Sequence, residues 1–404
     1  MQPARVVRVT SLNTRTAAAA VVSLFSYNGL VIGAYAASIP TLKMRFDLSA
    51  QFLSVFFITM GLSAIASMQV VGRLSDRFGA RRVSLAMIPL QAIGVAMIGW
   101  SSSLPIMFAG GVVLGIGNGG VDVAMNAVGV QVEKLRTRPI MSFFHGTWSI
   151  GNFLGAGLLV VLSPLLAAQA DPTVHTATAI AAALGIPALI VGWMIVPETM
   201  PVSHQGEDGP KAKLPPIVWL FGLMAIAFGI GEGTAMDWSG LHVATVTGAD
   251  AGTAALGVTM LAGAMVIIRL LGDFLVARFG RRAVTRFGGT CSAVGYLIAA
   301  LATPLPLILL GWGLVGLGIG MIAPQVYASA GHLAGGRGLA VVVTFGYATF
   351  LASPAVMGML VGGIGVQHTM FVPAVLMLGL LVLARVLPGR DFDHAEEVVE
   401  PVSN

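Results

Sequence analysis

The chain alternates between long apolar runs and short polar breaks. Divided at charges, prolines and glycines, it predicts apolar helices near residues 17–40, 51–71, 83–100, 105–131, 140–162 and 176–197. After one polar stretch, six more follow near 216–240, 253–271, 283–302, 304–330, 339–362 and 369–387. A bilayer core takes about 20 mainly apolar residues per helix, and these runs have that length. Pro40, Pro105, Pro164, Pro197, Pro304 and Pro388 are expected at helix ends, where a missing amide is tolerated.

The pattern repeats. Phe78-Gly79-Ala80-Arg81-Arg82 and Phe279-Gly280-Arg281-Arg282 lie 201 residues apart, and Leu114–Gly119 lines up with Val315–Gly320 at the same offset. Two features sharing one period predict duplication and fusion, and paired membrane repeats build transporters. The expected fold is all-α integral membrane: twelve transmembrane helices in two six-helix repeats. Residues 1–197 form the first bundle, 198–215 a cytoplasmic linker, 216–388 the second bundle and 389–404 an acidic tail.

Composition sharpens the class. Apolar residues make up 56% of the chain and charged residues 10%, with mean hydropathy +0.89. A soluble domain carries roughly 25% charged residues, so this chain cannot cover a water-facing surface. The pI near 9.7 arises from basic residues in short loops without a sustained basic face, so no nucleic-acid partner is expected. Those bases (Arg73, Arg77, Arg81, Arg82, Lys134, Arg136, Arg138, Lys211, Lys213, Arg278, Arg281, Arg282, Arg286, Arg337, Arg385 and Arg390) fall on one side of the spans. Lys43 and Arg45 fall on the other, and the asymmetry predicts cytoplasmic termini.

The opening imitates a secretory signal, with Arg5, Arg8 and Arg15 before an apolar stretch containing Ala34-Tyr35-Ala36. Signal cores run about 7–15 residues, so the longer 17–40 run reads as the first helix. The lone Cys291 excludes an internal disulfide and a thiolate metal cluster. No Walker loop, zinc helix motif or nucleophile elbow is present, and Gly115-Ile-Gly117-Asn-Gly119-Gly120 sits inside a span with no strand before it. Neither an enzyme nor a cofactor is expected, and ATP-driven transport is not indicated.

Gly72-Arg-Leu-Ser-Asp76-Arg77-Phe-Gly79-Ala-Arg81-Arg82 resembles the loop motif between helices two and three of the major facilitator superfamily. The second copy departs from it, starting at Gly272-Asp273 with the acid four places forward. Asp122-Val-Ala-Met-Asn126, Phe144-His145-Gly146-x-Trp148-Ser149 and Glu232-Gly233-x-x-x-Asp237-Trp238-Ser239 resemble the inner membrane protein YbjJ group, distantly similar to fucose and other sugar permeases. The resemblance implies a monomeric secondary transporter in the inner membrane, with helices one, four, seven and ten lining a central cavity. It also implies a cytoplasmic gate at Gly72, Asp76, Arg77, Gly79, Arg81 and Arg82, with Arg269 and Asp273 as the second half's counterpart. Gly151-x-x-x-Gly155-x-Gly157 partly imitates the superfamily's antiporter motif but lacks its Pro, which disfavours drug/proton antiport.

Several polar residues sit inside the apolar runs. Asn118, Asp122 and Asn126 share one face of the fourth helix. A membrane Asp costs roughly 2.5–3.5 kcal/mol at the helix centre, so it should face a cavity or a partner. The stripe binds solute or a proton, or is an interhelical ladder for packing. Function is favoured for Asp122, ranked slightly above Glu232 as a proton carrier. On the seventh helix Glu232 lies among Gly229, Gly231 and Gly233, which permit a break. Asp237 reads as a helix-end or gate residue and Trp238 as an interfacial anchor. His145, Trp148 and Asn152 share a face of the fifth helix; Trp148 could stack on a sugar ring, and His145 is relay or structure. Asn28, Tyr35, Gln325, Tyr327 and Tyr347 could complete a polar cavity. The glycine ladders of helices four and ten read as packing.

The leading expectation is a proton-coupled secondary transporter of a small polar, sugar-like solute. Efflux of amphipathic compounds is the alternative within transport. A non-transporting receptor or scaffold is the alternative outside it.

Overall fold

The computed structural model describes residues 14–133, 140–195 and 214–389. The linker, the tail from 390, and Lys134, Arg136, Arg138, Lys211, Lys213 and Arg390 lie outside the described residues. The first five spans are Thr14–Arg45, Ala50–Phe78, Ala80–Gly99, Leu104–Glu133 and Met141–Leu165. The sixth is broken into Ala170–Ala183 and Gly185–Ile195. Spans seven to nine are Ile217–Thr247, Ala251–Phe279 and Arg281–Leu301. Helical backbone then runs from Leu305 to Thr369, interrupted by left-handed φ at Gly335 and Gly365. These breaks separate the tenth pass, the eleventh, and the approach to the twelfth, Phe371–Leu383. Among the described residues, ten helices are long and apolar enough to span by themselves; Ala352–Thr369 and Phe371–Val386, bent by 73°, form an eleventh candidate as a pair.

The duplication is visible in the backbone. Spans two and eight begin and end at equivalent places, 201 residues apart. Both have a side-chain cap at the first turn: Ser49 accepts from the Phe52 amide, and Asp250 from the amides of Gly252 and Thr253. Both end on a glycine with positive φ, Gly79 at φ 88°, ψ 137° and Gly280 at φ 77°, ψ 158°. That corner of backbone space is nearly glycine-only, which explains the glycine in both basic turns.

The helices overrun the apolar runs. Asp76 and Arg77 therefore sit in the last turn of span two, not in a loop. No loop of several residues separates spans ten and eleven; Gly335 alone makes the break. Pro40 lies inside its helix, more than a turn before the end, whereas Pro164 is the penultimate residue of span five. At the basic end Glu133 caps the start of span five, its carboxylate accepting from the amides of Ile140 (2.6 Å) and Met141 (2.8 Å). At the far end Arg45 pairs with Asp171 at 2.7 Å and donates to the carbonyls of Gly99 and Ser101. A structural tie thus accounts for a basic residue on the sparse side.

Lipid removes the hydrophobic drive between helices, so close packing must hold them. Spans one and five meet through Gly29, Gly33, Gly151 and Gly155, where any Cβ would collide with the opposite backbone. Gly115 and Gly119 bring span four onto span two in the same way, and Gly316 seats span ten on span eight. Leu62, Ile93, Phe274 and Leu301 face outward as an apolar belt.

Candidate functional site

A chain of polar contacts crosses the first bundle. Buried Gln91 on span three donates to the Asn118 side-chain oxygen (3.3 Å), which also accepts from Asn28 Nδ2 (3.0 Å). Asn28 Oδ1 in turn accepts from the Trp148 indole at 2.6 Å. The contact of spans one and five at Gly29 and Gly33 brings Trp148 within reach. Buried polar groups away from water require partners, and Asn28 and Asn118 find them in this chain, while Gln91 Oε1 is buried without one.

From Trp148 the contacts pass into the second bundle. The Arg269 guanidinium lies over the Trp148 ring at 5.8 Å, and its Nη1 donates to Ser149 Oγ at 2.7 Å. Arg269 Nη2 faces Glu232 Oε1 at 3.4 Å. The side chains of Arg269 and Glu232 are 15% and 25% exposed, so the pair is reachable from a cavity. Arg269, expected as a gate residue with Asp273, thus bridges the seam and finds its carboxylate partner on span seven. Tyr296, buried on span nine, donates to the Gly231 carbonyl and so packs against span seven beside Glu232.

A cavity of about 240 Å³ adjoins this pair in the basic half, lined by His145, Arg269, Asp273, Pro324, Gln325 and Tyr327 among others. Pro324 has no amide proton, which leaves the Gly320 carbonyl in the cavity wall without its helical donor. Gln325 Oε1 accepts from Arg281 at 3.3 Å. His145 is exposed on one side and packs edge-on to Phe25 on the other. Larger ligand pockets run about 300–1,000 Å³, so this cavity suits a small solute. Its donors and acceptors suit a polar one.

Other expected residues lie apart. Among the described residues Asp122 is joined only to Asn126 on its own helix, whose amide donates to its carbonyl and carboxylate (2.8 and 3.3 Å). Asp237 lies near the buried Tyr35 hydroxyl, towards the far end. Trp238 is buried against Phe57 of span two, at the seam rather than the lipid interface. The Tyr347 side chain is outside the described set. Arg77 stacks on its neighbour Phe78, Arg81 bonds to the Trp193 carbonyl and lies over its ring, and a Cβ at Gly72 would touch nothing. Among the described residues no His, Cys, Asp and Glu cluster could hold a metal.

Gln91 and Tyr296 were not anticipated from the sequence, and Ser149 was visible only as part of a motif. Gln91 and Tyr296 are each a single polar residue in an apolar run, and only the neighbouring helix reveals the partner. Asn152 is buried with neither amide atom partnered, one turn beyond Trp148.

The family model of the Major Facilitator Superfamily matches residues 17–239. An uncharacterized transporter y4wD of Sinorhizobium fredii is 32% identical over 369 residues, 90% of this chain and 96% of that protein. Among solved structures, the nucleoside transporter NupG superposes with a TM-score of 0.69 at 12% identity, covering 90% of this chain and 97% of its own. The transporter FucP, in its outward conformation, gives 0.59 at 17% identity, covering 91% and 97%. The twelve-pass fold, the inverted apolar logic of its surface and these matches lead to one conclusion: the chain is a multi-pass membrane transporter, not an enzyme, and belongs to the major facilitator superfamily.

Proposed function

We propose that this transporter carries a small polar, sugar-like solute by proton-coupled symport, alternating access around the Arg269 site. The observation that carries the reading is the Glu232–Arg269 pair, which reaches across the seam onto Ser149 and Trp148 beside a small polar cavity. Protonating Glu232 would release Arg269 to donate to solute oxygens, so proton and solute binding would favour each other. An aromatic face beside fixed donors suits a ring bearing hydroxyls. The amphipathic-efflux reading calls for a weakly polar cavity; the His145, Arg269, Asp273 and Gln325 side chains favour a polar solute, while Met321, Ala323, Pro324 and Tyr327 give the same wall an apolar face. The clustered bases support a topology with the basic end and both termini in the cytoplasm, and the reading takes the protein as a monomer in the inner membrane.

Thermal-shift measurement on the purified protein tests the solute class, since a ligand stabilises the state it binds. Nucleosides and monosaccharides are compared with lipophilic cations. A polar solute should raise the Tm of the wild type and not of Arg269→Ala. Stabilisation by lipophilic cations alone would overturn the reading.

A further inference from the structure

Spans three and six leave a groove on the outside of the bundle at its basic end. Leu85 and Ala86 form one wall and Leu189, Ile190, Trp193 and Met194 the other, around a volume of about 620 Å³. Among the described residues the one charged group lining it is Arg82, in the first turn of span three. Its neighbour Arg81 is engaged, reaching across to the carbonyl and ring of Trp193. Arg82 is exposed and makes no ion pair, hydrogen bond or ring contact among the described residues.

We propose that this groove is a binding site for an anionic phospholipid. The protein spans a bilayer, so acyl chains surround the groove, and an apolar groove left unfilled loses dispersion contacts. A chain lying along Leu85, Leu189 and Ile190 restores them. Its headgroup then meets Arg82, whose planar guanidinium matches a phosphate with two parallel hydrogen bonds. Trp193, two-thirds exposed, stands at headgroup level as indoles do at membrane interfaces. The charge balance selects the headgroup. Arg82, exposed and with no carboxylate against it among the described residues, leaves a positive charge at the mouth, which a zwitterionic lipid cannot neutralise and an anionic one does. The site is separate from the Arg269 cavity and does not depend on the solute.

Native mass spectrometry of the purified full-length protein, with phosphatidylglycerol and phosphatidylcholine of identical chains, tests the assignment. The wild type should retain phosphatidylglycerol preferentially, and Arg82→Gln should cut that preference by about fivefold, as one surface cation is expected to contribute. Ile190→Trp, which fills the groove and keeps the charge, should reduce retention of both lipids. Arg286→Gln, removing an exposed arginine on span nine, should change neither. Equal retention of the two lipids by the wild type, or an undiminished preference in Arg82→Gln, overturns the site; so does unchanged binding in Ile190→Trp.

Discussion

Glu232 and Asp122 are both carboxylic acids inside the membrane, yet only one has a cation beside it. Glu232 faces Arg269, whereas Asp122 meets an amide on its own helix. Under the proposed coupling, Glu232→Gln should still exchange solute across proteoliposomes but lose accumulation driven by a pH gradient, which is worth about 1.4 kcal/mol per proton per pH unit. Asp122→Asn should lose less. Undiminished pH-driven accumulation in Glu232→Gln would remove it as the carrier. Tyr296→Phe deletes the hydroxyl that donates to the Gly231 carbonyl, and should lower stability by about 1 kcal/mol, read as a drop in Tm. Glu232 was legible in the sequence because an intramembrane acid stands out by its cost. Arg269 was equally visible, but spacing on its own helix pointed to Asp273. Its partners lie 37 and 120 residues away, where spacing carries no information.

At the scale of the element, apolar runs located nearly every helix and misplaced many ends. Hydropathy reports where lipid ends, whereas a helix continues until its backbone is capped. Span two runs on through Arg73, Asp76 and Arg77 to Gly79. The same reasoning explains the missing turn between spans ten and eleven, where Gly331, Gly335, Gly336 and Gly338 resemble a loop but one positive φ suffices. Gly79→Ala should destabilise the protein by about 1–3 kcal/mol, because a Cβ is strained at φ 88°, ψ 137°. Gly72→Ala, a few residues earlier, inside the helix and open to space, should not lower stability and should raise it by about 0.5–1 kcal/mol. Equal losses in the two variants would show that the turn's backbone geometry is not what selects Gly79.

For the whole molecule, the two bundles are sealed against each other at the end away from the basic loops. Phe57 meets Trp238, Gly252 packs on Ser163, and Gly358 and Gly362 receive Ser54 and Gln51. None of this was legible beforehand, because a seam between halves belongs to one conformation and a sequence encodes several. Its polar tie is Ser163 Oγ, which donates to Asp250 Oδ1 at 3.0 Å. Asp250 stands outside the spans, and the Thr253 hydroxyl first, with the amides of Thr253 and Gly252 and the Ser163 hydroxyl, holds its carboxyl below the ordinary range against partial burial. A lowered pKa means the tie is complete above the usual carboxyl value, about pH 4, and fails as pH falls through the lowered one. Ser163→Ala removes the cross-seam bond but leaves the helix cap, so it should favour opening of the far end by about 0.5–1.5 kcal/mol with little change in Tm. Asp250→Ala should open the seam and also cost about 1 kcal/mol of helix capping. Spin labels on the far ends of spans five and eight would report the distance between them. In the wild type the open fraction should rise only below about pH 4, and in Ser163→Ala it should already be raised at neutral pH. An open fraction in Ser163→Ala equal to that of the wild type at neutral pH would show that apolar packing alone closes this side.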